Sequence, residues 1–174
     1  MNDVNDGVVR WLRRIGGIAS EGEDRLKGGR DMLKWCRGMM GRKCHTRYFT
    51  LAEGKKASEG PRLNWGPTIE ACKKGRKSVA ISDIRYVEGG EGGSSGRGAD
   101  EDRSLRVGIP EGKELSLESE NSDERDTFVA DLYAVCYYYA LCKMQVKVGE
   151  REGRRVGRGE LGRKVEVAAT KAAS

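Results

Sequence analysis

The sequence predicts a mainly β domain: a seven-stranded antiparallel barrel or sandwich, capped by one C-terminal α-helix and preceded by a short N-terminal helix. Two observations lead to this fold class. From residue 30 onward, short segments of β-type residues are separated by turn residues at close intervals. After residue 120, apolar residues recur at helical spacing instead. A sheet closed by one amphipathic helix buries the apolar face of both elements, so we expect the two parts to pack together.

Seven segments have the composition and alternation of strands, and the residues between them favour turns. These segments are residues 31–37, 45–51, 62–66, 78–81, 84–88, 104–109 and 113–119. Two connections are longer than the rest. Residues 66–77 contain Pro67 and a basic cluster, whereas residues 89–103 are rich in glycine and serine and then acidic. We therefore expect the second of these connections to be a long disordered loop.

The strongest helix signal begins at Asn121. This residue is suited to an N-cap, and Glu124 follows three residues later, which is the spacing of a capping box. Apolar residues then recur at spacings of four, three, four and three along a single stripe. The stripe consists of Phe128, Leu132, Val135, Tyr139 and Cys142. We expect it to pack on the sheet.

Residues 4–19 predict a short basic amphipathic helix, with Leu12 and Ile15 on its apolar face. Such a helix either caps the following domain or lies on a membrane surface. Glycine pairs at residues 16–17 and 28–29 predict a flexible lead-in. We divide the chain into a basic N-terminal extension, a domain and a disordered basic tail, which are residues 1–23, 24–147 and 148–174.

The cysteines argue against a disulfide framework. They are five in number, form no C-x-x-C pair and favour reduced thiols. A zinc site can be imagined, but its spacings match no common zinc module, and its ligands would be Cys36, Cys44, His45 and Cys72. His45 is the only histidine, and no nucleophile motif accompanies it. We expect no metal, no cofactor and no enzymatic activity.

Nothing in the sequence indicates a membrane span or a leader. Residues 1–6 carry two aspartates ahead of any long apolar stretch, which argues against a signal peptide. The longest apolar run, residues 132–142, has eleven residues and falls well short of the roughly 20 that a membrane helix needs. We expect a cytoplasmic protein that can associate peripherally with a membrane.

Four short motifs follow one another along the chain. Residues 34–49 (KWCRGMMGRKCHTRYF) combine a basic strand, a Gly/Met turn and an Arg-aromatic-aromatic entry to a second strand. Residues 63–65 (LNW), 78–84 (SVAISDI) and 114–118 (ELSLE) follow, and the helix comes after them. In this order the motifs resemble the pleckstrin homology (PH) domain, in particular that of phospholipase C delta.

The resemblance covers residues 24–145 and implies a PH-like barrel that acts as a non-catalytic adaptor, with Phe128 where the family usually has tryptophan. The lipid signature of the family is a basic residue on the first strand followed by basic-x-Arg entering the second. Lys34 and Arg47 match it. His45 stands at the middle basic position, and an imidazole gives no fixed positive charge at pH 7.

In a PH-like barrel the first and third turns open on the same end, so we expect a positive rim around a shallow cup. The residues of this lipid headgroup site are Lys34, Arg37, Arg42, Lys43, His45, Arg47, Lys73, Lys74, Arg76 and Lys77. Each basic group near an anionic leaflet contributes about 1 kcal/mol, so four or five give about 4–5 kcal/mol. Binding of that size is weak, and general anionic binding is favoured over recognition of one phosphoinositide.

The net charge of +6 is unevenly distributed. Residues 1–47 contain 11 basic and 6 acidic side chains, residues 100–126 contain 4 and 10, and residues 143–174 contain 9 and 4. The expected function is contact with anionic membrane lipid headgroups, either a phosphoinositide or anionic lipid in general. The alternative is a protein-docking module, a scaffold or cytoskeletal adaptor with an acidic partner and no specific lipid binding.

Nucleic-acid binding is not favoured, because the aromatic residues lie in strands where core packing accounts for most of them: Trp35, Tyr48, Phe49 and Trp65. The tyrosine run of the last helix has two interpretations. Tyr139 continues the inward stripe, while Tyr137 and Tyr138 face elsewhere. They either pack on the N-terminal helix through Leu12 and Ile15 or form an exposed aromatic patch for a partner.

Overall fold

The seven strands and the first and last helices follow one another in the order that the sequence predicts. In a computed structural model, residues 3–38, 41–54, 60–90 and 100–144 are described, with the backbone alone for residues 3–10, 12, 37–38 and 41–42. The elements are α1 Asp3–Gly28, β1 Arg30–Gly38, β2 Gly41–Ala52, β3 Arg62–Gly66, α2 Ile69–Lys73, β4 Ser78–Ala80, β5 Tyr86–Gly89, β6 Ser104–Gly108, β7 Glu114–Glu118 and α3, which covers residues 122–144.

The seven strands form one antiparallel sheet in the order β4-β3-β2-β1-β7-β6-β5. All seven predicted strands and the C-terminal helix are confirmed. The second strand is longer than expected, because the β1–β2 hairpin keeps its pairing as far as Gly38 and Gly41. The fifth begins later, because the chain first makes a 3-10 turn over Ile81–Asp83.

Alternation along the strands gives the sheet an apolar inner face. Its buried side chains come from six strands and include Met32, Phe49, Leu51, Leu63, Trp65, Val79, Leu105, Val107, Leu115 and Leu117. Helix α3 covers this face with Phe128, Leu132 and Val135, none of which is more than 1% exposed. Burying three such side chains contributes about 5–9 kcal/mol before the entropy of ordering them is subtracted.

The start of α3 agrees with the predicted cap. The side-chain oxygen of Asn121 accepts a hydrogen bond from the backbone amide of Glu124 at 2.8 Å. The predicted stripe is buried as expected at its first three positions, and Tyr139 is partly buried against the core. Phe128 therefore fills the place that the resemblance assigns to an aromatic side chain.

Helix α1 is longer than predicted and continuous through the glycine pair at residues 16–17. The expectation of a flexible lead-in was wrong, because tertiary packing outweighs the low helix propensity of glycine. A Cβ atom at Gly22 would lie 3.2 Å from the backbone oxygen of Asp131, and Ala19 is only 1% exposed. The small residues let α1 approach α3 closely.

An ion pair joins the same two helices. The guanidinium of Arg25 donates to the carboxylate of Asp131 through Nε at 2.9 Å and Nη2 at 2.6 Å. This hydrogen bond and the charge of Asp131 raise the pKa of Arg25. Burial, with the Glu23 carboxylate of α1 as a further cause, raises the pKa of the Tyr139 hydroxyl on α3.

The tyrosine run meets α1, as the first of its two interpretations predicts. The ring of Trp11 contacts Tyr137 edge-on at 6.4 Å, and a Cβ at Gly16 would lie 3.4 Å from the ring of Tyr138. These contacts involve Trp11 and Gly16, and the side chain of Leu12, named in that interpretation, lies outside the described structure. Helix α1 thus packs on the domain, although Tyr137 remains 41% exposed.

The end of α1 adjoins β2 at the point where β1 begins. Arg30, the first residue of β1, pairs with Phe49, so Thr50 is the first residue of β2 beyond this pairing. Its hydroxyl donates to the carbonyl of Lys27 at 3.0 Å. At Gly29, φ is +70° and a Cβ would lie 2.4 Å from the Tyr48 ring, so only glycine fits between helix and strand.

Two predicted segments lie mostly or wholly outside the described residues. The loop predicted over 89–103 is described only at its two ends, and residues 101–103 form a 3-10 turn. The tail predicted over 148–174 lies entirely outside. Among the described residues, no helix combines the length and the apolar character needed to cross a membrane.

We expect replacement of Gly22 by leucine to lower the free energy of unfolding by about 1–3 kcal/mol, because the side chain must push α1 away from Asp131. Gly17→Leu is the matched control, since Gly17 is exposed with open space around it. The control should be neutral or stabilising by up to about 0.8 kcal/mol. Urea denaturation of both variants measures the difference, and equal stabilities would contradict the docking of α1.

Candidate functional site

One face of the β1–β2 hairpin carries four of the predicted site residues. Lys34 pairs with His45, Met32 with Arg47, and Cys36 with Lys43. Because directly paired residues share a face and every second residue returns to it, all of these point to the side of the sheet on which Met32 is buried. Lys34, Lys43, His45 and Arg47 form what we call the hairpin face.

The hairpin face adjoins the core on the same side of the sheet, and its side chains become more exposed toward the end of the hairpin. Phe49 is buried, Arg47 and Lys34 are half-buried, and His45 is exposed. The Lys34 ammonium lies 5.7 Å from the centroid of the Trp65 ring, within cation–π range. The apolar core and the charged side chains of the hairpin face are therefore contiguous.

Trp65 adds a hydrogen-bond donor that the sequence did not reveal. Its ring stacks on Phe49 at 6.3 Å, as the predicted core assignment requires. Its indole Nε1 is nevertheless buried with no acceptor among the described residues. A buried N–H without a partner is costly, so this indole is an unsatisfied donor beneath the hairpin face. The available signal was the position of Trp65 at a strand end, directly before Gly66-Pro67.

The charges of the hairpin face are not neutralised by the described part of the protein. Within it, Lys34, Lys43 and Arg47 have no carboxylate within 4.0 Å. Elsewhere cations do pair with carboxylates, as in Arg25, Lys27, Arg103, Arg106, Lys113 and Arg125. Unpaired positive charge is thus present at this face.

Arg37 and Arg42 face each other across the end of the hairpin. Their backbones are paired, one step before Gly38 and Gly41. Their side chains lie outside the described structure. The end of the hairpin therefore contains two basic residues, and the positions of their charged groups lie outside the described structure.

The four basic residues of the β3–β4 connection sit on a different element. The sequence treated this connection as irregular, whereas residues 69–73 form α2, capped by the Thr68 hydroxyl. Cys72 of α2 is buried, and its carbonyl accepts from the side chain of Asn64 at 3.3 Å. Asn64 points to the outer face of the sheet, opposite to Trp65. The side chains of this connection cluster are exposed: Lys73, Lys74, Arg76 and Lys77.

The register separates the connection cluster from the end of the hairpin. β3 ends at Gly66, opposite Tyr48, whereas β2 begins at Gly41, about 23 Å further along the strand. One acidic residue, Glu70, also lies on α2 beside the connection cluster. Hydrogen bonds from its own amide and from Thr68, with the charges of nearby lysines, lower the pKa of Glu70. The structure unites four site residues on the hairpin face, and a rim shared by both turns remains a prediction.

Two aromatic residues assigned to the core lie on the outer face instead. Met32 and Lys34 point to the core side of β1. Trp35 is the next residue along the strand, so its side chain points away from the core. Its indole Nε1 donates to Glu118 at 3.1 Å, and Arg103 binds the other carboxylate oxygen at 2.7 Å. The hydroxyl of Tyr48 donates to the Gly28 carbonyl at 2.8 Å. Both residues are structural, and strand parity was the signal that could have shown it.

The outer face also has a shallow hollow of about 200 Å³ beside Glu118. Its lining includes Asp31, Glu118 and Glu120, with Arg103 as its only cation. This arrangement repels phosphate. The inner hairpin face, with its unpaired cations, is the stronger candidate for an anionic ligand.

The zinc site considered from the sequence does not have a suitable geometry. Cys44 and His45 are consecutive in β2, so their side chains point to opposite faces of the sheet. Cys72 lies on α2, and burial raises the pKa of its thiol. Among the described residues, no three His, Cys, Asp or Glu side chains are placed to hold a metal ion.

The seven antiparallel strands followed by a helix confirm the predicted fold class, that of a PH-like module. Comparison of the sequence with protein-family models and with curated proteins gives no match. Comparison with solved structures finds chains that are similar to this one in fold, among them several PH domains. Sequence identities this low carry no information about a ligand.

Three of these structures show the range of similarity. The PH domain of human oxysterol binding protein-related protein 11 is 14% identical, with 62% of this chain and 77% of that chain covered and a TM-score of 0.44. The C-terminal PH domain of human pleckstrin is 15% identical, with 63% and 86% covered and a TM-score of 0.47. Inner Membrane Complex Sub-compartment Protein 1 from Toxoplasma gondii is 13% identical, with 70% and 92% covered and a TM-score of 0.48.

The placement of the thiols is testable by chemical labelling of the native protein. Cys44 is exposed and should react first with iodoacetamide at pH 8. Burial raises the pKa of Cys136 to about 12, so only about one molecule in ten thousand carries its thiolate at that pH. Cys72 should be protected in the same way. Peptide mass spectrometry measures the order, and labelling in urea, where all should react, is the control. Equal rates at Cys44 and Cys72 under native conditions would contradict the structure.

Proposed function

We propose that this chain is a non-catalytic PH-like adaptor that contacts anionic lipid headgroups through the hairpin face. The observation that carries the proposal is the group of cations on one open face without carboxylate partners in the described structure. The phospholipase C delta-type pattern of residues 34–49 supports the same assignment.

Each group on the hairpin face has a distinct role in the proposal. Arg47 offers a planar fork of donors that can bind two phosphate oxygens, and Lys34 acts as a point charge. Arg37, Arg42 and Lys43 add positive charge toward the tip of the hairpin.

The connection cluster contributes long-range attraction rather than direct contact. Its residues, Lys73, Lys74, Arg76 and Lys77, are exposed and carried by α2 and the turn after it. Attraction of exposed charges to an anionic surface decays over about 8–10 Å at physiological salt. We therefore expect the cluster to raise the salt sensitivity of binding more than its specificity.

The proposal predicts weak, general anionic binding. Three or four engaged cations at about 1 kcal/mol each give about 3–4 kcal/mol, which corresponds to millimolar attachment. His45, at the middle signature position, supplies no fixed charge at pH 7. Protein docking without specific lipid binding is the alternative, and the next experiment separates the two.

Liposome co-sedimentation tests the hairpin face. The protein should sediment with phosphatidylserine and phosphoinositide vesicles at low salt and not with phosphatidylcholine vesicles. The double variant Lys34→Ala/Arg47→Ala removes about 2 kcal/mol of attraction, or about thirtyfold in the partition coefficient. The matched control is Arg85→Ala/Lys113→Ala, which removes the same charge from exposed positions outside the hairpin face.

Three results decide between the functions. A loss confined to the hairpin variant supports the proposal, provided that thermal melts show both variants folded. An equal loss in the control would show that binding depends on net charge and not on the hairpin face. Absence of binding by the unaltered protein at low salt discards lipid contact and leaves protein docking.

A further inference from the structure

The first residue of β4, Ser78, directly follows the basic run KKGRK of the connection cluster. Arg76 and Lys77 stand two and one positions before it, and both are exposed. Between residues 69 and 77 the only carboxylate is that of Glu70, so the chain that leads into Ser78 is strongly positive. Protein kinases select their substrates in part by such charge patterns beside the acceptor hydroxyl.

A guanidinium already holds the hydroxyl of Ser78. Nε and Nη2 of Arg62, on the neighbouring strand β3, both donate to the Ser78 Oγ, at 3.1 and 3.0 Å. A fork of two donors is the arrangement with which arginine binds the oxygens of a carboxylate or a phosphate. Here the fork meets one neutral oxygen, and among the described residues Arg62 has no carboxylate within 4.0 Å.

The position of β4 at an edge of the sheet gives a second protein access to Ser78. In the described structure its three residues pair with β3 alone. Ser78 is half-buried and pairs with Asn64, so its side chain lies on the outer face, away from the core. A short edge strand opens at a small cost in free energy, and an enzyme can then hold the serine in an extended conformation.

We propose that Ser78 is a phosphorylation site for a protein kinase that selects basic sequences, and that Arg62 holds the resulting phosphate. The co-reactant is ATP. The Ser78 oxygen forms a bond to the γ-phosphorus while the bond from that phosphorus to the bridging oxygen of ADP breaks. ADP leaves with the electron pair, and the hydroxyl proton passes to the catalytic base of the kinase. The terminal phosphate oxygens then become the acceptors for the Arg62 fork.

The phosphate offsets part of the charge of the connection cluster. A phosphoserine carries about 1.5–2 negative charges at pH 7, whereas the cluster has four positive side chains. The attraction of the cluster to an anionic surface therefore falls. This consequence rests on the proposed function, whereas the phosphorylation site and the capture of the phosphate by Arg62 do not.

The site is tested with the full-length chain, protein kinase C and Mg-ATP, and peptide mass spectrometry locates the phosphate. Ser78 should be modified. Ser82 should not be, because it is exposed but has no basic residue in the three positions before it. Phosphate that is confined to other serines, such as Ser58 in the segment KKAS, overturns the proposal. So does an unmodified Ser78 in the native chain, and a synthetic peptide of residues 72–82 then shows whether the fold or the sequence prevents the reaction.

A pair of double variants tests whether the basic run directs the kinase. Arg76→Gln/Lys77→Gln should slow the modification of Ser78 by about tenfold or more. The matched control is Arg85→Gln/Lys113→Gln, which removes the same charge from exposed positions elsewhere and should leave the rate unchanged. Equal rates in the two double variants would overturn the proposal.

Phosphorus NMR of the phosphorylated protein tests the capture by Arg62. The second pKa of a phosphoserine is about 6, and an adjacent guanidinium favours the dianion, so we expect a pKa of about 5.5 or below in the folded protein. Urea should return it to about 6, and this comparison needs no variant. Arg62→Gln should also raise the pKa, by more than Lys77→Gln, which removes the charge next to Ser78 in the chain. The same pKa with and without urea, or equal effects of the two variants, contradicts the capture.

Co-sedimentation with phosphatidylserine vesicles separates the modification from the proposed function. At low salt the phosphorylated protein should bind about fivefold less than the unmodified protein, because each offset charge is worth about that factor. Equal binding of the two forms would refute the effect on the connection cluster. Absence of binding by the unmodified protein would refute lipid contact, and mass spectrometry and NMR would still decide the phosphorylation site.

Discussion

The rest of the structure depends on the burial of the inner face of the sheet by α3. Phe128, Leu132 and Val135 are almost completely removed from water against side chains of the strands. An open sheet would expose those apolar side chains, and the helix alone would expose its stripe, so neither element is stable without the other. The side of α3 that remains outside then determines where α1 can pack.

The packing of α1 follows from one residue of α3 and two small residues of α1. Asp131 is buried on the side of α3 and requires a cation, which Arg25 provides. Gly22 and Ala19 allow the helix backbones to approach closely enough for that pair to form. The same arrangement leaves Tyr133 and Tyr137 of α3 exposed, with Trp11 of α1 beside Tyr137.

The molecule carries positive charge of two kinds. Some cations on the outer face and between the helices are paired with carboxylates, as in Arg103 with Glu118 and Arg25 with Asp131, and they serve the fold. Cations on the hairpin face have no such partner in the described structure, and they are available for an anion. Net charge alone does not distinguish the two kinds, whereas the pairing of individual side chains does.

Most of the fold follows from the sequence, because alternation, turn residues and caps depend on near neighbours in the chain. The strands, the Asn121 cap and the buried stripe of α3 are such features, and the hairpin register places Lys34, His45 and Arg47 on one face. What the tertiary structure decided depends on distant contacts. Helix α1 continues through its glycines because its partner lies on α3, and Arg25 meets a residue 106 positions away. The outward direction of Trp35 and the unpaired indole of Trp65 likewise depend on which groups the folded chain brings beside them, and no local pattern contains that information.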